Sequence, residues 1–98
     1  MEKLKIGFIG LGARGMILLK DVVLAMKDIS VIAVCDNDKD RAQVGAEAVI
    51  EARGSKPACE TDYKKVIDHP EVEAVIIATA WEYHVEIAVY SMLSIIIL

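Results

Sequence analysis

The chain has 98 residues, of which 55% are hydrophobic, 11 are basic and 15 acidic, giving a net charge of −4. One small domain, or one piece of a larger one, fits that length, and so apolar a composition excludes intrinsic disorder. No basic block exists to release counterions from a phosphate backbone, so nucleic acid is not an expected partner.

The first apolar run, Leu4-Lys5-Ile6-Gly7-Phe8-Ile9, alternates weakly and ends at a glycine cluster. A strand apolar on both faces suits the centre of a parallel sheet. Beyond Gly12 the period changes. Arg14, Lys20/Asp21 and Lys27/Asp28 recur about every seven residues, while Met16, Leu19, Val23 and Met26 fill another face. The spacing predicts an amphipathic helix over roughly 13–28. Ser30–Cys35 is rich in β-branched residues and stops at Asp36-Asn37-Asp38, which predicts a second buried strand.

Asn37 or Asp38 can cap the next helix, because a short polar side chain there accepts an orphan N–H. Ala42, Gly45, Ala46 and Val49 form its inward stripe, and Gly54 is placed to end it with positive φ. Lys56–Glu60 reads as a short edge strand, since Pro57 is tolerated only at an edge or a strand start. Thr61 is expected to cap a helix from Asp62 to Asp68, with Tyr63, Val66 and Ile67 inward and His69-Pro70 as an exposed stop. Val72–Ala78 is the clearest strand. A last helix, about Glu82 to Leu93, should bury Val85, Ala88, Val89 and Met92, and the uncharged tail Ile95–Leu98 is strand-prone.

The alternation β-α-β-α-β-α-β-α predicts an α/β fold: a doubly wound, Rossmann-type parallel sheet of order 3-2-1-4, with the tail as a candidate fifth strand. Residues 1–98 are expected to form a single domain. The longest apolar stretch, Ala74–Trp81, is too short to cross a bilayer, so no membrane association is expected. Cys35 and Cys59 lack the spacing of a metal or disulfide framework, which points to a reducing cytoplasm and no metal site. If the tail pairs as a strand, it or the 57–60 strand leaves an open edge, and the chain is expected to form a homo-oligomer through its C-terminal end.

Gly10-Leu11-Gly12-Ala13-Arg14-Gly15 matches G-x-G-x-x-G. Alone the pattern is weak; its place directly after a buried strand and at a helix start gives it meaning. Gly10 permits the tight turn, Gly12 lets a diphosphate approach the backbone, and Gly15 lets helix and strand pack closely. The diphosphate oxygens would accept N–H groups at the positive helix end. Asp36, 21 residues past Gly15, stands at the end of the second strand, where its carboxylate can accept adenosine ribose hydroxyls and repel a 2′-phosphate. With Asn37 and Asp38 adding no cation, NAD is the expected cofactor over NADP; Arg14 and Arg41 are the residues that could reverse this. The competing readings are a purely structural turn with Asp36 as a helix cap, and an S-adenosylmethionine site. A P-loop fails because no Gly-Lys-Ser/Thr comes after the turn.

Lys5–Gly15, Ala33–Asp36, Thr61–Tyr63, and Val72–Thr79 with His84 five residues on together resemble the glucose-fructose oxidoreductase / inositol dehydrogenase (Gfo/Idh/MocA) family. The resemblance spans about residues 3 to 93. It implies a nucleotide-binding domain of an oxidoreductase acting with NAD(P) on sugars, cyclitols or their derivatives, and one branch cleaves glycosides by transient oxidation. Thr79 and His84 match the family's T-x-x-x-x-H, which lines the nicotinamide half, although Ala80 and Trp81 replace the usual Pro-Asn. Trp81 either covers the cofactor or packs against the face where the substrate domain is missing. No residue matches the family's catalytic Lys in a Glu-Lys-Pro segment, and the substrate domain is absent, so no catalytic residue is assigned and catalysis by these residues alone is not expected. The alternative function is a stand-alone dinucleotide-binding or sensing module. His69 is read as solvent-exposed, and the pair Glu82 and Glu86 as solvated charge.

Overall fold

A computed structural model describes residues 3–79, Ile87, and the backbone at Ile96 and Ile97. Five strands, β1 (Leu4–Ile9), β2 (Ile29–Cys35), β3 (Ala58–Glu60), β4 (Ala74–Ile77) and β5 (Ile96–Ile97), form one sheet in the order β3-β2-β1-β4-β5. Every pairing is parallel. This is the expected doubly wound order, with the tail strand beside β4.

The sheet is apolar on both sides because helices cover both. On one side the turn that continues α1 (Ala13–Leu18) buries Leu19 and Val23, and α2 (Lys39–Arg53) buries Ala46 and Val49, against Ile6, Phe8, Val31 and Val34. On the other, α3 (Tyr63–Ile67) brings Val66 and Ile67 onto Ile9, Ala33, Cys35 and Val75, joined by Ile87. Alternation along β2 breaks once: Ile32 and Ala33 both pack on the α3 side. There the β1–β2 register skips from Ile6↔Val31 to Gly7↔Ala33, so Ile32 is the extra residue of a bulge.

The predicted 13–28 helix is shorter and interrupted. α1 ends at Leu18 and widens into a π-helical turn, Leu19–Val23, closed by the Leu24 N–H on the Leu19 carbonyl at 2.9 Å. One extra residue in a turn rotates the later residues by about 100°. Leu19 and Val23 are buried, but Met26, assigned to the same stripe, is 42% exposed. The 24–29 connection is tied down from α2: the Arg53 guanidinium donates to the carbonyls of Ile29 and Met26 at 2.7 Å each and of Leu24 at 3.3 Å.

α2 matches its pattern closely. Asp38 is the N-cap, accepting from the Asp40 and Arg41 N–H groups, the predicted stripe is buried, and Gly54 closes the helix at φ 75°. For α3 the cap is Asp62, not Thr61. Val66 and Ile67 must face the sheet, and that fixes the first turn one residue later than expected. His69, expected to be solvent-exposed, is half-buried, and its Nδ1 accepts the Glu71 N–H at 3.1 Å. The last predicted helix, with Val85, Ala88, Val89, Met92, Glu82 and Glu86, lies outside the described residues except for Ile87, which is helical and buried.

Candidate functional site

The ends of β1, β2 and β4 open together into a crevice of about 330 Å³. It lies at the switch point of the sheet, where the connection from β1 packs on one face while Ile87, beyond β4, packs on the other; open α/β sheets bind ligands in this position.

The turn after β1 builds its floor. Gly10 adopts φ 105°, and a Cβ there would come within 2.6 Å of the Ala78 carbonyl, so no other residue fits. Its N–H is held by the Cys35 carbonyl at 2.9 Å. Gly15 is buried, and a Cβ on it would overlap the Gly10 carbonyl oxygen, which presses α1 close against the turn. Gly12 differs. Its φ of −68° and ψ of −173° suit any residue. A Cβ there would meet nothing nearer than Arg41 Nη1 at 3.9 Å, and it would point toward the crevice that Gly12 lines. The fold gives Gly12 no reason to be glycine.

α1 starts at this turn without a side-chain cap or an acidic residue in its first turn, unlike α2 and α3, which Asp38 and Asp62 cap. The first N–H groups of a helix lack intrahelical partners, so Gly12 and Ala13 offer donors at the positive helix end. The Ala13 and Arg14 side chains are exposed, and neither they nor Gly15 line the crevice.

Asp36 is 7% exposed and holds two backbone donors: Oδ2 accepts the Leu11 N–H at 2.8 Å and Oδ1 the Asp38 N–H at 2.9 Å. A carboxylate has about four acceptor sites, so two remain for a ligand. Asn37 is exposed and lines the crevice beside it. Arg41, on the first turn of α2, lines the same wall and faces Gly12.

The opposite wall contains Thr79, whose Oγ1 is buried without a hydrogen-bond partner. Such a hydroxyl costs about 1–3 kcal/mol to leave unmet, and Thr79 is one of the residues that line the crevice. Thr61, Tyr63 and Ile87 also line it. Sequence pattern marks Thr61 only as a cap and Tyr63 only as core; both come directly after β3, whose place beside β2 is the signal that brings them to the site. Trp81 and His84, the other residues expected near the cofactor, lie outside the described residues.

Cys35 also lines the crevice. Burial, reinforced by the charges of Asp36, Asp62 and Glu60, pushes its thiol up to about 12. The neutral thiol is a weak nucleophile, so Cys35 acts here as wall. Cys59 faces the other core, and both cysteines are free. Among the described residues, no group of three or more His, Cys, Asp or Glu could hold a metal ion, and no helix is long and apolar enough to cross a membrane.

An uncapped helix start over an open Gly12, a carboxylate with spare acceptor sites and an orphaned hydroxyl on the facing wall fit a long anionic ligand carrying sugar hydroxyls. Comparison with known proteins agrees. The sequence profile of the Gfo/Idh/MocA oxidoreductases, with their NAD-binding Rossmann fold, matches residues 4–93. A glycosyl hydrolase family 109 protein of Streptomyces niveus is 36% identical over 92% of this chain and 19% of its own length. One from Stenotrophomonas maltophilia is 34% identical over 93% of the chain and 21% of its own. A dehydrogenase crystal structure from Chromobacterium violaceum superposes with a TM-score of 0.77 and 27% identity, covering 94% of this chain and 25% of that one. The chain thus spans about a fifth of the length of the curated relatives it matches.

Proposed function

Because this chain belongs to the oxidoreductase family with an NAD-binding Rossmann fold, we propose that its crevice binds NAD(H), and NADP(H) more weakly. The diphosphate lies over Gly12 and accepts the N–H groups of Gly12 and Ala13. The adenosine ribose meets Asp36 and Asn37, with Arg41 on the outer wall. The nicotinamide half extends toward the Thr79 hydroxyl and toward Trp81 and His84. The observation that carries this reading is Gly12: an ordinary backbone conformation with open space where a side chain would stand.

In this role the residues bind and orient. Gly10 and Gly15 hold the turn, the helix start neutralises phosphate charge, and Asp36 selects a ribose bearing a free 2′-hydroxyl. Bound nicotinamide supplies a hydride acceptor or donor. Substrate contacts and proton transfer fall to parts of the protein corresponding to the four-fifths of the relatives that this chain does not match. The whole protein is proposed to be an oxidoreductase acting on a sugar or cyclitol derivative. Its relatives' names favour the branch that cleaves glycosides by transient oxidation. A cytoplasmic location is supported by the two unpaired cysteines.

Calorimetric titration with NADH and NADPH tests the cofactor assignment. Saturable one-to-one binding, tighter for NADH, is expected. Absence of binding to both would overturn the assignment, and tighter NADPH binding would reverse the preference and point to Arg41.

A further inference from the structure

We propose that Asp36 is also a positioning residue for the diphosphate cradle, coupling the sugar-binding and phosphate-binding halves of the crevice. The inference rests on the dinucleotide reading above but goes beyond a ribose contact. Both Asp36 oxygens already serve the backbone, and the two donors belong to different loops. The Asp38 N–H belongs to the loop entering α2, while the Leu11 N–H belongs to the glycine turn, 25 residues earlier in sequence and one position before Gly12.

The turn has few other anchors. The Gly10 N–H is held by a β2 carbonyl, and the Leu11 side chain packs against Gly45 of α2, where a Cβ would lie only 2.5 Å from Leu11 Cδ1. Leu11 is 2% exposed, so in the folded chain the Asp36 carboxylate is the acceptor that holds its N–H. Without Asp36 the Gly10–Leu11 peptide loses that anchor and is free to turn, and the Gly12 N–H turns with it. Its carboxylate therefore sets the direction of donors that it does not itself supply.

A ligand without ribose hydroxyls separates the two roles. If Asp36 acts only through the hydroxyls, Asp36→Ala leaves the affinity for 2′,3′-dideoxyadenosine 5′-diphosphate unchanged while weakening NADH. If it also positions the cradle, the dideoxy ligand weakens at least tenfold as well. Amide hydrogen exchange reads the latch without any ligand: in Asp36→Ala, Leu11 exchange is expected to quicken at least tenfold while Phe8 in β1 keeps its protection. Should Asp36→Ala fail to fold, Asp36→Asn takes its place. Its single amide oxygen can serve only one of the two N–H groups, so Leu11 or Asp38 loses protection. Unchanged dideoxy affinity, or unchanged exchange at Leu11 in the alanine variant and at both amides in the asparagine variant, overturns the proposal. Failure of the wild-type chain to bind either ligand would instead remove the dinucleotide reading, with the exchange result still deciding the latch.

Discussion

Replacing Gly12 by alanine should separate binding from folding. The residue is the N-cap of α1 at φ −68°, and an added methyl would have 3.9 Å of clearance from the nearest atom. Alanine is a poorer N-cap than glycine by roughly 0.5–1 kcal/mol. Against this, reduced freedom in the unfolded chain stabilises by about 0.4–1 kcal/mol. The two nearly cancel, so the melting temperature should move by less than about 4 °C in a domain of this size. Binding has no such compensation. The methyl stands where phosphate oxygens approach, and losing even one charge-assisted hydrogen bond of about 1.5–3 kcal/mol weakens NADH at least tenfold. Calorimetry with thermal melts on the same samples checks both. A folded Gly12→Ala chain with wild-type affinity, or one that does not fold, would refute the reasoning. Gly10→Ala supplies the contrast: at φ 105° and 2.6 Å from the Ala78 carbonyl, strain and overlap should cost at least ~2 kcal/mol and lower the melting temperature regardless of ligand.

Three more outcomes concern single side chains. Thr79→Val removes a buried hydroxyl without a partner, so the ligand-free chain should be as stable as wild type or about 1 kcal/mol more stable, while NADH binds more weakly; loss of stability without loss of affinity would contradict this. Arg53→Ala releases three carbonyls between residues 24 and 29 and should cost about 2 kcal/mol in urea unfolding; an unchanged midpoint would show that the connection holds without it. For Cys35, folding favours the neutral thiol. Its stabilisation is complete below the unfolded value of about 8.5 and drains as pH rises toward about 12. Wild type should therefore lose more stability than Cys35→Ala between pH 8 and pH 10.5, and parallel profiles would count against this.

Legibility in the sequence tracks how local each signal is. α2 can be read from end to end because its cap, stripe and terminal Gly54 all act within one helix. The strand order comes from alternation and right-handed crossovers. α1 is harder to read, because seven-residue polar spacing does not distinguish a continuous α-helix from one widened at Leu19–Val23. At the site, the motif already assigns Gly10 and Gly15 to the turn and Gly12 to the diphosphate, and Asp36 to the ribose. The folded backbone adds the φ of 105° at Gly10, the overlap that a Cβ on Gly15 would cause, and the open space beside Gly12. The Asp36–Leu11 bond joins residues with no patterned relation, and Thr61, Tyr63 and Ile87 reach the crevice only through tertiary packing.

The central claim, that the N–H groups at the start of α1 hold a diphosphate while Asp36 holds its sugar, is tested most directly by titrating NADH into the isotope-labelled chain and tracking backbone amides by NMR. Saturable shifts concentrated at Gly12, Ala13, Asn37 and Thr79, with the outer face of α2 unmoved, are the predicted result. Saturation without movement at Gly12 and Ala13, or no saturable shift at any amide, would contradict it.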